Sequence, residues 1–268
     1  MKRFTRIFTV IVFVFLYIPM LVLLLGSFSA GKDLAVFEGF TFYQYAELFR
    51  DGDMLSLLRN SLIVAVLSSL LATVLGTMAA IGIHSMRGKM RRFVMAVTNI
   101  PMTNPDIVTG VSLALLFVFV GSLMKIRSVM GFTTLMIAHI TFNLPYVILS
   151  VMPKLHQMDA DLEEAALDLG CTPLQAFFKV VIHEIMPGVI SGALMAFTMS
   201  LDDFVISYFV CGADFTTLPV AIYNFTKKPL HPKIYALFTL IFVGILLVMA
   251  LMTVLEARDE RRRKASRS

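Results

Sequence analysis

Two groups of acidic residues carry the chemistry that this chain could perform. Residues 163–166 read Glu-Glu-Ala-Ala in a polar stretch between two apolar runs. Asp202 and Asp203 lie inside an apolar run, where an ionised carboxylate costs about 2.5 to 3.5 kcal/mol on membrane-insertion scales. Carboxylates bind cations or basic side chains, and no convergent nucleophile, base or metal set surrounds these four acids. The acids therefore indicate binding and docking rather than catalysis.

The remaining candidate motifs for chemistry are accidental. Residues 26–32 nearly spell a phosphate-binding loop, but Asp33 stands where the loop requires Ser or Thr, and a membrane helix precedes it. The five histidines are dispersed along the chain. His139, the one deep in an apolar run, is expected to have a hydrogen-bonded packing role. The sequence predicts no cofactor or metal bound by this chain, so any energy that its function needs must come from outside the chain.

Composition predicts an integral membrane protein. Of the 268 residues, 58% are hydrophobic and the mean hydropathy is +0.83, which is more apolar surface than one soluble core can bury. The net charge of +5 does not indicate nucleic-acid binding, because Lys and Arg cluster at the ends of apolar runs. Cys171 and Cys211 are predicted on opposite sides of the bilayer, which excludes a disulfide framework.

Six apolar segments are long enough to cross a bilayer as helices, since a span needs about 20 residues. They predict an all-α membrane protein with one transmembrane domain over residues 1–268. Of the 23 Lys and Arg residues, 15 lie on the side that holds both termini, so the N and C termini are predicted to be cytoplasmic. The predicted spans cover about residues 7–29, 60–83, 106–124, 130–152, 184–211 and 234–256.

A polar loop of about residues 153–183 separates the fourth and fifth spans and is predicted to fold. Two residue pairs in it fit the capping-box pattern of a helix start. Gly170 separates the two predicted helices as a C-terminal stop does, and Pro173 occupies the favoured first position of the second helix. The two pairs are Asp161 with Glu164 and Thr172 with Gln175.

The two membrane carboxylates admit two interpretations. Adjacent positions on a helix point about 100° apart, so Asp202 and Asp203 do not share one narrow face. In the first interpretation, one or both contact a cation in the pore, aided by the ring faces of Phe204 and Tyr208. In the second, they cap an outer half-helix or bond to a partner subunit. The residues alone do not choose between the two acids.

Small residues recur every fourth position before these acids. Such a stripe permits close approach of two helices. It predicts packing either within the chain or along a seam with a second subunit. The stripe consists of Gly188, Gly192, Ala196 and Ser200.

A motif in the polar loop extends over residues 164–187. It reads Glu-Ala-Ala, then three residues, Gly170, and an apolar run that contains Pro187. This motif resembles the EAA loop of type I ABC importer permeases, in which the loop forms a coupling helix that docks on a cytoplasmic ATPase. The proline of the family's fuller pattern is His183 here, and Pro187 is expected to supply the kink one turn later. The resemblance assigns the coupling role to Glu163, Glu164, Ala165, Ala166 and Gly170.

The resemblance extends over most of the chain, from residue 39 to the last span. Residues 200–212 and 217–223 are similar to the spermidine/putrescine permease subgroup of the PotC type. That subgroup implies a MetI-like fold in the bacterial inner membrane. It also implies a second permease (PotB-like), two copies of an ATPase that binds ATP and Mg (PotA-like), and an extracytoplasmic polyamine-binding protein (PotD-like). The residues expected along the substrate pathway are Asp202, Asp203, Phe204 and Tyr208.

Three alternatives compete with polyamine import. The first alternative is a permease of the same superfamily with a different cargo, namely ferric ion, an oxyanion or another organic cation. An anion carrier should have Arg or Lys in its spans, and this chain has essentially none there. An ion-coupled secondary transporter typically shows two related halves and needs no docking loop. The third alternative is a membrane-embedded enzyme, but this chain shows no convergent nucleophile, base or metal-ligand set.

Overall fold

A computed structural model describes residues 2–31, 38–126, 128–159, 161–227, 233–247 and 250. Most of these residues are helical, and one isolated bridge pairs Ser29 with Phe40. A π-helical turn, Phe177–Val181, joins the eighth helix to the ninth. The helices are α1 (Lys2–Ser27), α2 (Tyr43–Arg50), α3 (Gly52–Ser85), α4 (Gly88–Thr103), α5 (Asp106–Leu123), α6 (Phe132–Gln157), α7 (Asp161–Asp168), α8 (Pro173–Ala176), α9 (Ile182–Asp202), α10 (Val205–Val210), α11 (Leu218–Thr226) and α12 (Lys233–Leu247).

Five helical stretches are long and apolar enough to cross a membrane, and they overlap the first five predicted spans. They are Thr5–Ser27, Gly52–Ser85, Asp106–Leu123, Phe132–Gln157 and Pro173–Asp202. The sixth predicted span, 234–256, begins in the apolar helix α12, but residues 248, 249 and 251–256 lie outside the described residues. The predicted all-α membrane class is confirmed, and the count of six spans stays a prediction.

The chain divides into two compact units. Unit 1 comprises Met1–Leu55 and Phe225–Ser268, and unit 2 comprises Ser56–Asn224. In unit 1, the Lys233 Nζ atom donates to Asp51 Oδ2 at 2.6 Å. This hydrogen bond lowers the pKa of the Asp51 carboxyl below its ordinary value. Asp51 Oδ1 also accepts from Met54 N at the start of α3, so one carboxylate ties α12 to the α3 N-terminus.

Helix α6 is the centre of unit 2 and packs closely along α9. A Cβ atom added to Gly188 would lie 2.8 Å from the Ser150 carbonyl oxygen, and one added to Gly192 would lie 3.2 Å from Val147 Cα. The small-residue stripe of α9 is buried throughout. Of the two predicted uses of the stripe, packing within the chain is therefore the one that the structure shows.

Gly188→Ala is expected to lower the thermal stability of the purified protein more than Gly192→Ala. The new methyl group at position 188 meets a backbone oxygen that cannot move aside, which costs about 1 to 3 kcal/mol. At position 192 the nearest atoms lie 3.2 to 3.3 Å away and need to shift only slightly. Gly82→Ala in α3 is the control, because nothing lies within 4 Å of its Cβ position. Equal melting temperatures for the Gly188 and Gly192 variants would contradict this packing argument.

Two predicted spans show helix interruptions. Pro101 and Pro105, on either side of Asn104, predict that the third span follows a broken helix. This is confirmed, because α4 ends at Thr103 and α5 begins at Asp106. The segment predicted as the fifth span, 184–211, is not one helix. Helix α9 ends at Asp202 and α10 begins at Val205, so residues 203 and 204 interrupt the segment.

Candidate functional site

The polar loop between α6 and α9 begins with the short helix α7. The Asp159 carboxylate accepts a hydrogen bond from Asp161 N at 3.2 Å. The predicted capping box of Asp161 and Glu164 is wrong, because it requires Asp161 to lie directly before the helix and the helix already includes Asp161. Three acids, including Glu163 and Glu164, occupy the first turn of α7, where the positive end of the helix dipole stabilises negative charge.

Gly170 ends α7 and turns the chain. Its φ angle is +86°, a conformation that favours glycine. Gly170 N donates to Leu167 O at 2.9 Å and Cys171 N donates to Ala166 O at 3.1 Å, the two hydrogen bonds of a Schellman motif. The next helix, α8, starts with the predicted capping box of Thr172 and Gln175, which is confirmed. The loop is therefore held in one conformation by its own caps.

The outer surface of this loop combines acidic and apolar side chains. Glu163, Glu164 and Ala165 are exposed, whereas Ala166 is buried. Leu169 is 87% exposed in this structure. Large apolar groups exposed together beside acidic side chains are typical of a protein-binding surface. The other exposed apolar residues of the loop are Leu162, Leu167, Leu174 and Phe178.

The entry into α9 contains an irregularity that the sequence did not predict, and the kink expected at Pro187 stays a prediction. The irregularity lies earlier, in the π-helical turn Phe177–Val181. Helix α9 then runs from Ile182 through both His183 and Pro187. The extra residue of the π-turn shifts the register of the chain, so His183 in place of proline is compatible with a continuous helix.

The two membrane carboxylates occupy different environments. The Asp203 side chain is 8% exposed. Its Oδ1 atom accepts from Ile206 N at 3.2 Å, and its Oδ2 atom accepts from Ser207 N at 2.7 Å and from Ser207 Oγ at 2.8 Å. Asp203 thus caps the start of α10. Asp202, the last residue of α9, is exposed.

His139 of α6 lies against the same helix interruption. Its Nε2 atom is 3.0 Å from Ser207 Oγ and 3.4 Å from Asp203 Oδ2, and its Nδ1 atom is 3.1 Å from Ser200 Oγ. The hydrogen-bonded packing role predicted for His139 is confirmed. Among the residues that the structure describes, no three His, Cys, Asp or Glu side chains cluster as metal ligands do.

Three aromatic rings form a cluster beyond the interruption. The Phe204 ring centroid is 5.5 Å from that of Tyr208 and 4.6 Å from that of Tyr223. Tyr208 and Tyr223 are 5.8 Å apart and each is about two-fifths exposed. The sequence predicted Phe204 and Tyr208 as pathway residues but not Tyr223, which is distant along the chain. Together with Asp202, this aromatic cluster offers the ring faces and the charge that an organic cation binds.

Comparison with known proteins identifies the type of protein that carries these features. Residues 72–261 match the family described as binding-protein-dependent transport system inner membrane component. The chain belongs to this family of permeases. The permease is 40% identical over 254 residues to the putrescine transport system permease protein PotI of Escherichia coli K12, covering 94% of this chain and 90% of that relative.

Two further relatives have similar lengths. The permease is 34% identical over 253 residues to the spermidine/putrescine transport system permease protein PotC of Escherichia coli K12, covering 94% of this chain and 93% of PotC. It is 33% identical over 261 residues to PotC of Haemophilus influenzae, covering 97% and 99% of the two chains. The predicted membership of the type I ABC importer permeases is therefore confirmed.

Solved structures support the fold of the permease. A chain of a bacterial ABC transporter that imports the acidic polysaccharide alginate matches with a TM-score of 0.69 at 14% identity, covering 95% of each chain. The methionine ABC transporter MetNI, in inward-facing conformations, matches with a TM-score of 0.59 at 18% identity, covering 76% of this chain and 94% of that chain. The predicted MetI-like permease fold is confirmed.

Proposed function

We propose that this permease is one of the two membrane subunits of an ATP-driven importer for polyamines, spermidine and putrescine, in the bacterial inner membrane. The observation that carries the proposal is the 40% identity, over 94% of the chain, to a permease named for putrescine. The partners are a second, PotB-like permease, two copies of a PotA-like ATPase that binds ATP and Mg, and a PotD-like binding protein. The chain itself needs no catalytic residue or cofactor.

The cargo side of the proposal rests on Asp202 and the aromatic cluster. A polyamine is a chain of ammonium groups and methylenes. An exposed carboxylate attracts the ammonium groups, and the faces of Phe204, Tyr208 and Tyr223 contact both the cation and the methylenes. Each cation–π contact contributes about 0.5 to 2 kcal/mol, so the pathway holds cargo weakly enough to release it. Asp203 contributes by holding the helix interruption.

The coupling side rests on the polar loop. Glu163, Glu164, Ala165, Ala166 and Gly170 are assigned to contact with the ATPase, on the cytoplasmic side together with both termini. The exposed acids suit Arg or Lys residues of a partner, and the exposed leucines suit an apolar groove. Because the caps hold the loop rigidly, movement of a docked ATPase is transmitted to α6 and α9 rather than absorbed.

Uptake by reconstituted vesicles tests the proposed function. Proteoliposomes that hold both permeases and the ATPase, with binding protein outside and ATP inside, are expected to accumulate radiolabelled putrescine or spermidine. Accumulation should require ATP and binding protein together. Uptake of ferric ion or an oxyanion instead of polyamine, or polyamine uptake without ATP, would reject the proposal.

A second arm of this assay tests the aromatic cluster. Tyr223→Leu is expected to reduce polyamine uptake about threefold to tenfold, because one cation–π contact is lost. Tyr223→Phe keeps the ring face and should retain most of the activity. Equal losses for the two variants would show that the hydroxyl group, rather than the ring, is responsible.

A further inference from the structure

The interruption between α9 and α10 is bridged by a buried hydrogen-bond network centred on α6. His139 is 1% exposed, and its two ring nitrogens contact one residue on each side of the interruption, Ser200 in α9 and Ser207 in α10. Ser200 Oγ also accepts from Asn143 Nδ2 at 2.7 Å and lies 2.9 Å from Ser68 Oγ. The imidazole of His139 therefore links the end of α9 to the start of α10.

We propose that His139 is a positioning residue that fixes this helix interruption, and through it the cargo-facing placement of Asp202 and the aromatic cluster. The inference rests on the proposed function for its meaning in transport. The structural part of the proposal is that His139 holds α9 and α10 together across the interruption. This part rests only on the contacts of His139.

The donors and acceptors form one consistent direction. Ser207 Oγ donates to Asp203 Oδ2, so it is free to accept from the N–H at His139 Nε2. His139 Nδ1 then accepts from the Ser200 hydroxyl, whose oxygen accepts from Asn143 Nδ2 and lies 2.9 Å from Ser68 Oγ. The two nitrogens of the imidazole have different partners and are not interchangeable. The proton positions follow from the pattern of partners.

The link through His139 is needed because the interruption lies within an apolar segment. A helix start leaves backbone N–H groups without partners within the helix, and in an apolar segment other protein groups must accept from them. Asp203 accepts from Ile206 N and Ser207 N, but this places a carboxylate in a buried site. The imidazole and the Ser207 hydroxyl supply the remaining donors. Removal of His139 therefore loosens the carboxylate, and α10 is no longer held in one position.

Three variants in the reconstituted four-component importer test the proposal. His139→Phe keeps the ring volume and removes both hydrogen bonds. His139→Gln replaces the imidazole with an amide that keeps a donor, and Ser207→Ala removes the bridging hydroxyl. We expect His139→Phe to lower polyamine uptake per ATP hydrolysed about fivefold or more, Ser207→Ala to lower it less, and His139→Gln to recover part of the loss. Thr141→Val is the control, because the Thr141 hydroxyl bonds only within α6, to Ile137 O.

A second readout does not depend on cargo. Cys211 follows α10 directly and is half-buried. Its alkylation rate therefore reports how often α10 moves away from the residues that it packs against. In a Cys171→Ser background, His139→Phe is expected to accelerate alkylation of Cys211 about threefold or more, and Thr141→Val should leave it unchanged.

The two readouts separate the possible outcomes. Wild-type uptake per ATP together with wild-type alkylation in His139→Phe would overturn the proposal. So would losses of uptake and ATP hydrolysis that follow the amount of assembled complex without faster alkylation, since these indicate general destabilisation. If the wild-type importer carries no polyamine, the proposed function fails, and the Cys211 alkylation rates still decide whether His139 holds the interruption.

Discussion

Asp203→Asn is expected to reduce polyamine uptake about tenfold or more, because it breaks a buried charge network. Asp203 Oδ2 accepts two hydrogen bonds from Ser207, and Oδ1 accepts one from Ile206 N. An asparagine offers one oxygen, and its amide donates where Asp203 accepts. At least one donor at the start of α10 then loses its partner, at a cost of about 1 to 3 kcal/mol. The measurements are uptake and the amount of complex in the membrane, and both should fall.

The adjacent carboxylate gives the contrast. Asp202→Asn removes a charge from an exposed side chain, so the fold and the amount of complex should be unchanged. We expect uptake to fall about threefold to tenfold through loss of attraction to the ammonium groups. The loss should be larger for spermidine, which carries one more positive charge than putrescine.

Conservative variants sharpen this comparison. Asp202→Glu keeps a charge at an exposed position and should retain most uptake. Asp203→Glu keeps the charge but adds a methylene in a closed network, and should behave like Asp203→Asn. Wild-type uptake in both asparagine variants would remove the substrate contact of Asp202 and the positioning role of Asp203 together.

The polar loop is the part of the site that local sequence predicts best. Gly170 and the pair Thr172 and Gln175 specify a helix stop and a helix start within a few residues, and local signals of this kind need no tertiary information. The misplaced cap at Asp161 has the same origin. Asp159 and Asp161 are both competent caps, and the pattern alone does not rank two acids that are two positions apart. Membrane helices are equally local, since hydropathy over about 20 residues reveals them.

The helix interruption is implied by only one of the two interpretations of the acids, the one in which they cap an outer half-helix, and the choice between the two depends on long-range contacts. Residues after Asp203 are apolar and read as a continuation of the span. The stop is stabilised by His139, which lies 64 positions earlier in α6, and by hydroxyl groups on facing helices. Tyr223 likewise joins Phe204 and Tyr208 only through the fold. The sequence therefore identified the two acids as candidate site residues, and the structure distinguishes the role of Asp203 from that of Asp202.

Gly170→Val is expected to uncouple ATP hydrolysis from uptake, with a loss of transport of about tenfold, while the permease remains in the membrane. The φ angle of +86° at Gly170 is poorly accessible to a β-branched residue, and the strain is about 1 to 2 kcal/mol. Nothing lies within 4 Å of the position of a Cβ atom at Gly170, so the effect arises from the backbone and not from a clash. The Schellman hydrogen bonds that orient α7 relative to α8 are then lost in part, and the exposed acids and leucines no longer face the ATPase together.

Two matched variants isolate the coupling role of Gly170. Gly170→Asn also adds a side chain in open space, but asparagine tolerates the left-handed conformation, so transport should be largely retained. Gly88→Val introduces comparable strain, because Gly88 has a φ angle of +58° and open space around its Cβ position, but Gly88 is the first residue of α4, outside the docking surface. ATP hydrolysis and uptake measured in the same vesicles should remain coupled in Gly88→Val and separate in Gly170→Val. Unchanged uptake in Gly170→Val, or equal uncoupling in both valine variants, would show that the polar loop does not transmit the movement of the ATPase.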